Sequence, residues 1–116
     1  VISACYSGGF ISSLTDPHTL VITAASADRN SFGCGHDGKY TYFGKAFFED
    51  SLQQNYSLVH AFEHAAKLIS DRENEAGFTN SNPQINLGEK MEQKLIELER
   101  QLQAKRHSNW AYTEQR

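Results

Sequence analysis

Apolar and polar positions change rhythm several times along the 116 residues. Residues 1–5 (VISAC) pair β-branched Val1 and Ile2 with small Ser3 and Ala4, and read as the end of a buried strand with a thiol at its tip. Residues 10–14 fit a short helical turn, broken at Asp16-Pro17. Residues 19–25 (TLVITAA) are a continuous apolar run, the mark of a strand covered on both faces. Beside residues 1–5 this run predicts two neighbouring parallel strands, and hence an α/β chain. His18 then lies at the end of the sheet opposite Cys5, out of reach for acid–base work. Residues 41–54 predict a helix with Phe43, Ala46 and Phe47 on one face and Phe48 and Leu52 on another. Ser57 reads as the N-cap of a second helix that runs to about Ala76 and stops at Gly77. Within it Leu58, Ala61, Phe62, Ala65 and Ile69 form an i, i+3, i+4, i+7 stripe. Ser81-Asn82-Pro83 marks a turn, and residues 84–87 suit a short further strand. From Glu89 to about Arg106 the residues become charged and helix-favouring. Met91, Leu95, Leu98 and Leu102 make one narrow apolar seam there, which either lies across the body or pairs with another chain. Residues 108–116 are expected to be a loosely held tail, with Trp110 and Tyr112 as its anchors.

Candidate chemistry concentrates at Cys5. Behind it comes Tyr6-Ser7-Gly8-Gly9, a small-residue turn in which glycine can take positive φ. Successive N–H groups in such a turn can form an anion-binding nest. A nest would favour a thiolate and a developing oxyanion, and strand tips are where open α/β sheets place their ligands. These residues point to a nucleophile; taken alone they also fit, and on frequency favour, a buried inert cysteine. The glycine-rich residues 26–39 read as a loop leaving the same edge, where substrate pockets form. Asp28, Arg29, Asn30 and Ser31 are the polar side chains expected nearest a bound substrate, against the plainer reading of a solvated loop.

Composition narrows the classes. A net charge of −3 gives no electrostatic case for nucleic acid or an anionic membrane surface. No apolar run approaches the roughly 18 residues of a spanning helix, and no signal-peptide pattern is visible, so no membrane contact is expected from this chain. The chain does not begin with Met, and is expected to be a piece of a longer protein. Cys5 and Cys34 do not make a disulfide framework; a bridge between them would silence a nucleophile, and both are expected reduced. Metal and cofactor sites are not expected. Cys34-Gly35-His36 offers two ligands where a tetrahedral zinc needs four, and His36 as a base on this loop is a minor alternative. His60-Ala61-Phe62-Glu63-His64 fits H-x-x-E-H. At about 100° per residue, however, both histidines lie opposite the apolar stripe, beside Lys67 and Asp71, and are expected to face solvent.

Residues 3–10 (SACYSGGF) resemble the nucleophile segment of the legumain-type (C13) cysteine peptidases, relatives of caspases and metacaspases. Residues 20–25 (LVITAA) are similar to the family's next strand, and Ser31-Phe32-Gly33-Cys34 to its serine-aromatic-small-cysteine loop. Thr41-Tyr42-Phe43-Gly44 is similar to its TY-apolar-Gly helix start. Order and spacing hold over roughly residues 1–44, and the following helix and the Pro83-Gln84 stretch resemble bacterial members out to about Gly88. The resemblance implies part of a caspase-like three-layer sandwich, parallel strands flanked by helices, with an added C-terminal amphipathic helix. Residues 1–88 would be the C-terminal portion of the peptidase domain, 89–107 the helix and 108–116 the tail.

The same resemblance implies a peptide or protein substrate, no cofactor, and Cys5 as nucleophile. Cys5 would attack the scissile carbonyl and form a thioester that water releases, with its own N–H as one oxyanion donor. The family takes its catalytic histidine from a His-Gly turn upstream of the cysteine. Only four residues precede Cys5, so the general base is expected outside this chain, together with the first sheet strands. The chain alone is then expected to be nearly inactive. Lys45 stands where legumain has an acidic residue lining its asparagine pocket, so asparaginyl specificity is not expected. Two alternatives stay open. One is acyl transfer to an amine, as in transamidase relatives. The other is a non-catalytic remnant that homo-oligomerises through the free edge of residues 1–5 or the C-terminal helix.

Overall fold

The computed structural model of the chain describes residues 1–33 and 40–114, with side chains as far as Arg106. Cys34, His36 and the side chains of Trp110 and Tyr112 therefore lie outside the described residues. The chain mixes helix and strand. A 3₁₀ turn (Ser7–Phe10) leads into α1 (Ile11–Leu14), then come β1 (Leu20–Thr23), α2 (Tyr42–Gly44), a π-helical stretch (Lys45–Ser51), α3 (Leu58–Ala76), β2 (Gln84–Leu87) and α4 (Met91–Glu114).

Strand β1 forms where the apolar run predicts it, with Val21, Ile22 and Thr23 all buried. Its laddered partner is β2, antiparallel, in a register that sets Leu20 against Leu87 and Thr23 against Gln84. The parallel pairing expected from residues 1–5 shrinks to one bridge between Ile2 and Thr23. There the Ile2 N–H donates to the Ile22 carbonyl at 2.8 Å and the Ala24 N–H donates to the Ile2 carbonyl at 2.9 Å. The expected buried strand at residues 1–5 is thus an exposed segment with a single bridge. Val1 is 61% exposed, and Ser3, Ala4 and Cys5 are exposed too, because among the described residues nothing pairs with the outer edge of this segment.

Helix α3 follows from local signals. The Ser57 hydroxyl accepts the His60 N–H at 3.3 Å, satisfying one orphan donor of the first turn. At the other end Gly77 takes φ 75°, with its N–H on the Asn74 carbonyl and the Phe78 N–H on the Glu73 carbonyl at 2.9 Å. That pair of bonds closes the helix in a Schellman motif. The apolar stripe packs as its spacing requires. Ala61, Phe62, Ala65 and Ile69 join Ile22, Ala24, Phe43, Ala46 and Phe47 in the core, with Leu58 partly buried against them. The predicted solvent-facing placement of the two α3 histidines holds for His60 alone. His64 is half-buried, and its Nδ1 lies 2.9 Å from the buried Ser51 hydroxyl, because the preceding helical stretch packs over that side of α3.

The preceding stretch departs from a plain α-helix. Thr41 caps it through its hydroxyl, which accepts the Gly44 N–H at 2.9 Å. From Lys45 onward the bonds run i→i+5, and the Leu52 N–H reaches the Phe47 carbonyl at 2.9 Å. This register turns Ala46, Phe47 and Ser51 inward and leaves Phe48 half exposed. It also brings Lys45 against Asp50, Nζ to Oδ2 at 3.2 Å, five residues apart.

After β2 the chain turns at Gly88, whose N–H donates to the Thr19 carbonyl at 2.9 Å. Any Cβ at residue 88 would collide with the Asp16 and Pro17 carbonyls, which is why glycine stands there. α4 lies lightly on the body, with Met91, Leu95 and Glu99 half-buried while Leu98 and Leu102 stay exposed. It continues to Glu114.

Truncating Ile69, 2% exposed in the core, removes a side chain that joins α3 to β1 and the π-helical stretch. Ile69→Ala is expected to lower unfolding free energy by about 3 kcal/mol, read as a fall in the urea midpoint without a change in slope.

Candidate active site

Cys5 is a free thiol, exposed, just beyond the parallel bridge and on the same side of the sheet as the C-terminal end of β1. Among the described residues its sulfur hydrogen-bonds to one, Ser31. The Ser31 N–H donates to Sγ at 3.2 Å, and the thiol hydrogen reaches the Ser31 carbonyl at 3.4 Å. Ser31 thus presents both main-chain polar groups to the sulfur, the way a strand presents them to a partner. Among the described residues no imidazole bonds to Cys5. His18 sits at the start of β1, where its N–H is held by Asp16 at 2.8 Å, and His64 is held by Ser51.

The turn after Cys5 is bolted to the chain leaving β1. Ser7 is fully buried, and its hydroxyl accepts the Ala25 N–H at 3.2 Å. The Gly8 N–H donates to the Ala25 carbonyl, and the Tyr6 N–H to the Arg29 carbonyl, each at 2.8 Å. A Cβ on Gly8 would come within 2.7 Å of the Ala27 nitrogen, so glycine here makes room for main chain. The positive φ expected of a glycine falls instead on Tyr6, at φ 58°, ψ 17°. A left-handed non-glycine residue costs roughly 1–2 kcal/mol, and the Ser7, Gly8 and Tyr6 bonds are what hold it. The expected nest is absent from this turn. The Tyr6, Gly8 and Gly9 N–H groups are all taken, the last by the Tyr6 carbonyl at 3.0 Å. The Cys5 N–H, by contrast, donates to no group among the described residues.

The four polar residues proposed from the loop divide. Ser31 touches the thiol and Arg29 fixes Tyr6, both through main chain. Asp28 and Asn30 are exposed, and Asp28 is engaged locally. The Ser26 hydroxyl donates to its Oδ1 at 2.8 Å. That bond is the first cause of a carboxyl lying below its ordinary 3.8, with the Asp28 N–H and the nearby Arg29 guanidinium adding to it.

Other residues complete the frame. The Ser3 and Thr41 hydroxyls stand 3.4 Å apart, and the Tyr42 N–H donates to the Phe32 carbonyl at 3.0 Å. Phe32 stacks on Phe78 with centroids 4.4 Å apart, and the Arg72 guanidinium lies 4.3 Å over the Tyr42 ring. Gly33, at φ 99°, lies so close to Tyr42 that a Cβ would sit 2.7 Å from its nitrogen. Three segments therefore converge on Cys5: residues 1–8, 26–33 and 41–44. No group of three or more metal-ligating side chains occurs among the described residues.

The family model described as the Peptidase C13 family matches residues 1–94 of the chain. Nothing among the curated proteins or the solved structures matches it.

Gly8→Ala is expected to cost about 1–3 kcal/mol by overpacking. Gly9→Ala, whose added Cβ meets only the Ala27 methyl at 3.9 Å, should stay within about 0.5 kcal/mol of the parent; chemical denaturation reads both. Ser26→Ala is expected to raise the Asp28 titration midpoint toward its ordinary 3.8 in a carboxyl-carbon NMR titration. The sign follows from a lowered folded value: the contribution is present above the ordinary carboxyl range and is lost as pH falls through the folded midpoint.

Proposed function

Because the chain belongs to the Peptidase C13 family, and so carries a cysteine peptidase domain, we propose that Cys5 is its nucleophile. In this reading the domain cuts peptide bonds through a thioester on Cys5. The supporting observation is the exposed thiol hydrogen-bonded to Ser31, in a turn fixed from beneath by buried hydrogen bonds. Attack places the substrate carbon on Sγ and its oxygen near the Cys5 N–H, which has no other acceptor among the described residues. The Ser31 N–H stays with the sulfur, while its carbonyl and the exposed faces of Asp28, Arg29 and Asn30 line the approach of the substrate chain. The family's caspase-like sandwich is the fold this reading implies, with β1 and the bridged residues 1–5 as its neighbouring strands.

The family resemblance puts the base upstream of the cysteine, and no imidazole bonds to Cys5 among the described residues. Loss of a dyad's base costs several orders of magnitude in rate, so a chain without that base turns over little peptide. Lys45, held by Asp50 at 3.2 Å, puts a cation where legumain carries an acid, and disfavours asparagine at the cleaved position.

A second reading is favoured by one observation, the exposed outer edge of residues 1–4. An unpaired edge templates another strand, and a second copy of the chain could occupy it. Size-exclusion with light scattering separates the two; a strict monomer at high concentration counts against assembly.

A peptidyl acyloxymethyl ketone, which places an electrophile beside a peptide, is expected to alkylate Cys5 with loss of its carboxylate, and excess peptide substrate is expected to block that labelling. Labelling indifferent to added peptide would overturn the nucleophile assignment. Peptide turnover by the isolated chain is expected near background. Sustained turnover that Cys5→Ala abolishes would show that the base lies within the chain.

A further inference from the structure

We propose that Glu73, in the last turn of α3, is a positioning residue for the Cys5 thiol; the inference rests on the reading of Cys5 as nucleophile. Glu73 is 1% exposed, one of the largest fully buried side chains. Helix stability does not explain it. The C-terminal turn is the negative end of the helix dipole, where an acid is opposed, and burying a carboxylate is costly unless hydrogen bonds compensate. No cation pairs with it among the described residues. Both its oxygens instead accept the Ser81 N–H, at 3.0 and 3.1 Å.

Two routes run from residue 73 to the thiol. Through the carboxylate, Ser81 is fixed, and its carbonyl accepts the Ser26 N–H at 2.9 Å, anchoring the start of the segment that carries Ser31. Through the main chain, the Glu73 carbonyl accepts the Phe78 N–H at 2.9 Å, and Phe78 stacks on Phe32, the residue after Ser31. Residues 26–32 are thus held at both ends from one position of α3. Between those ends, the Ser31 N–H and carbonyl grip Sγ of Cys5 at 3.2 and 3.4 Å. The carboxylate sets the loop, and the loop sets the sulfur.

Glu73→Met keeps the length of the side chain and removes the acceptor, whereas Glu73→Gln keeps an acceptor oxygen. Two measurements on the whole chain read the effect: the rate at which iodoacetamide alkylates Cys5, separated from Cys34 by peptide mass spectrometry, and amide exchange at Ser26, Ser31 and Ser81 by NMR. Folded Glu73→Met is expected to change the Cys5 rate by about threefold or more and to speed exchange at all three amides, while Glu73→Gln retains the parent values. A Glu73→Met variant that melts lower yet alkylates at the parent rate would reduce Glu73 to a structural role and overturn the proposal. Loss of the parent values in folded Glu73→Gln would overturn it as well. Should Glu73→Met not fold, exchange in the parent decides. Ser26, Ser31 and Ser81 opening with one common free energy supports the coupling, and independent opening refutes it. Alkylation needs neither base nor substrate, so this result stands apart from the ketone labelling that tests the nucleophile itself.

Discussion

The molecule turns on the peptide groups of one buried alanine. The Ala25 carbonyl receives the Gly8 N–H at 2.8 Å, the Thr23 hydroxyl at 3.0 Å and the Ser7 hydroxyl at 3.5 Å, while its N–H donates to Ser7 at 3.2 Å. All of this happens where Ala25, Thr23 and Ser7 are inaccessible to water. In so dry a place each bond is strong, and each unmade bond is expensive. The strand end and the thiol-bearing turn therefore cannot move separately. Everything exposed at the site, including the strained Tyr6 and the thiol before it, stands on that closed set of bonds.

Sequence patterns reached the parts of the fold that local chemistry decides. α3 was legible at both ends, since Ser57 and Gly77 act within one turn of themselves, and its stripe needed only a period. β1 was legible as an apolar run after a breaker, and β2 as a short extended segment after the turn at Ser81-Asn82-Pro83. The exposure of residues 1–5 was not, because a β-branched run says what it can pair with, never whether a partner is there. The i→i+5 register of residues 45–51 was equally hidden, being settled by packing against α3, where Ser51 meets His64. The family resemblance in the thiol segment, seen in the residues, agrees with the family match over residues 1–94.

Within the site, the cysteine and the loop were readable, and the way they are joined was not. Asp28 and Arg29 draw the eye as charged residues, yet Arg29 and Ser31 work through their peptide groups, which leave no trace in side-chain identity. Positive φ landed on Tyr6 because Gly8 was already committed to close packing against residues 25–27. One sign was available and went unread. Glu73 falls four residues after Ile69, on the continuation of the apolar stripe, where a carboxylate has no place unless something buried needs an acceptor.

The helical stretch over residues 45–51 has an implication for chain length. Rings closed by i→i+5 bonds hold one residue more than those of an ordinary helix, so the segment stores a surplus residue without a loop to house it. Deleting a single residue there would let the helix tighten to ordinary α winding, and the tightening would absorb the loss, leaving Thr41 and Tyr42 facing much as before. The Thr41 hydroxyl would stay beside Ser3, and Tyr42 beside Phe32 and Arg72. The stretch is thus a place where the chain can lose a residue and keep both neighbouring docking surfaces in register.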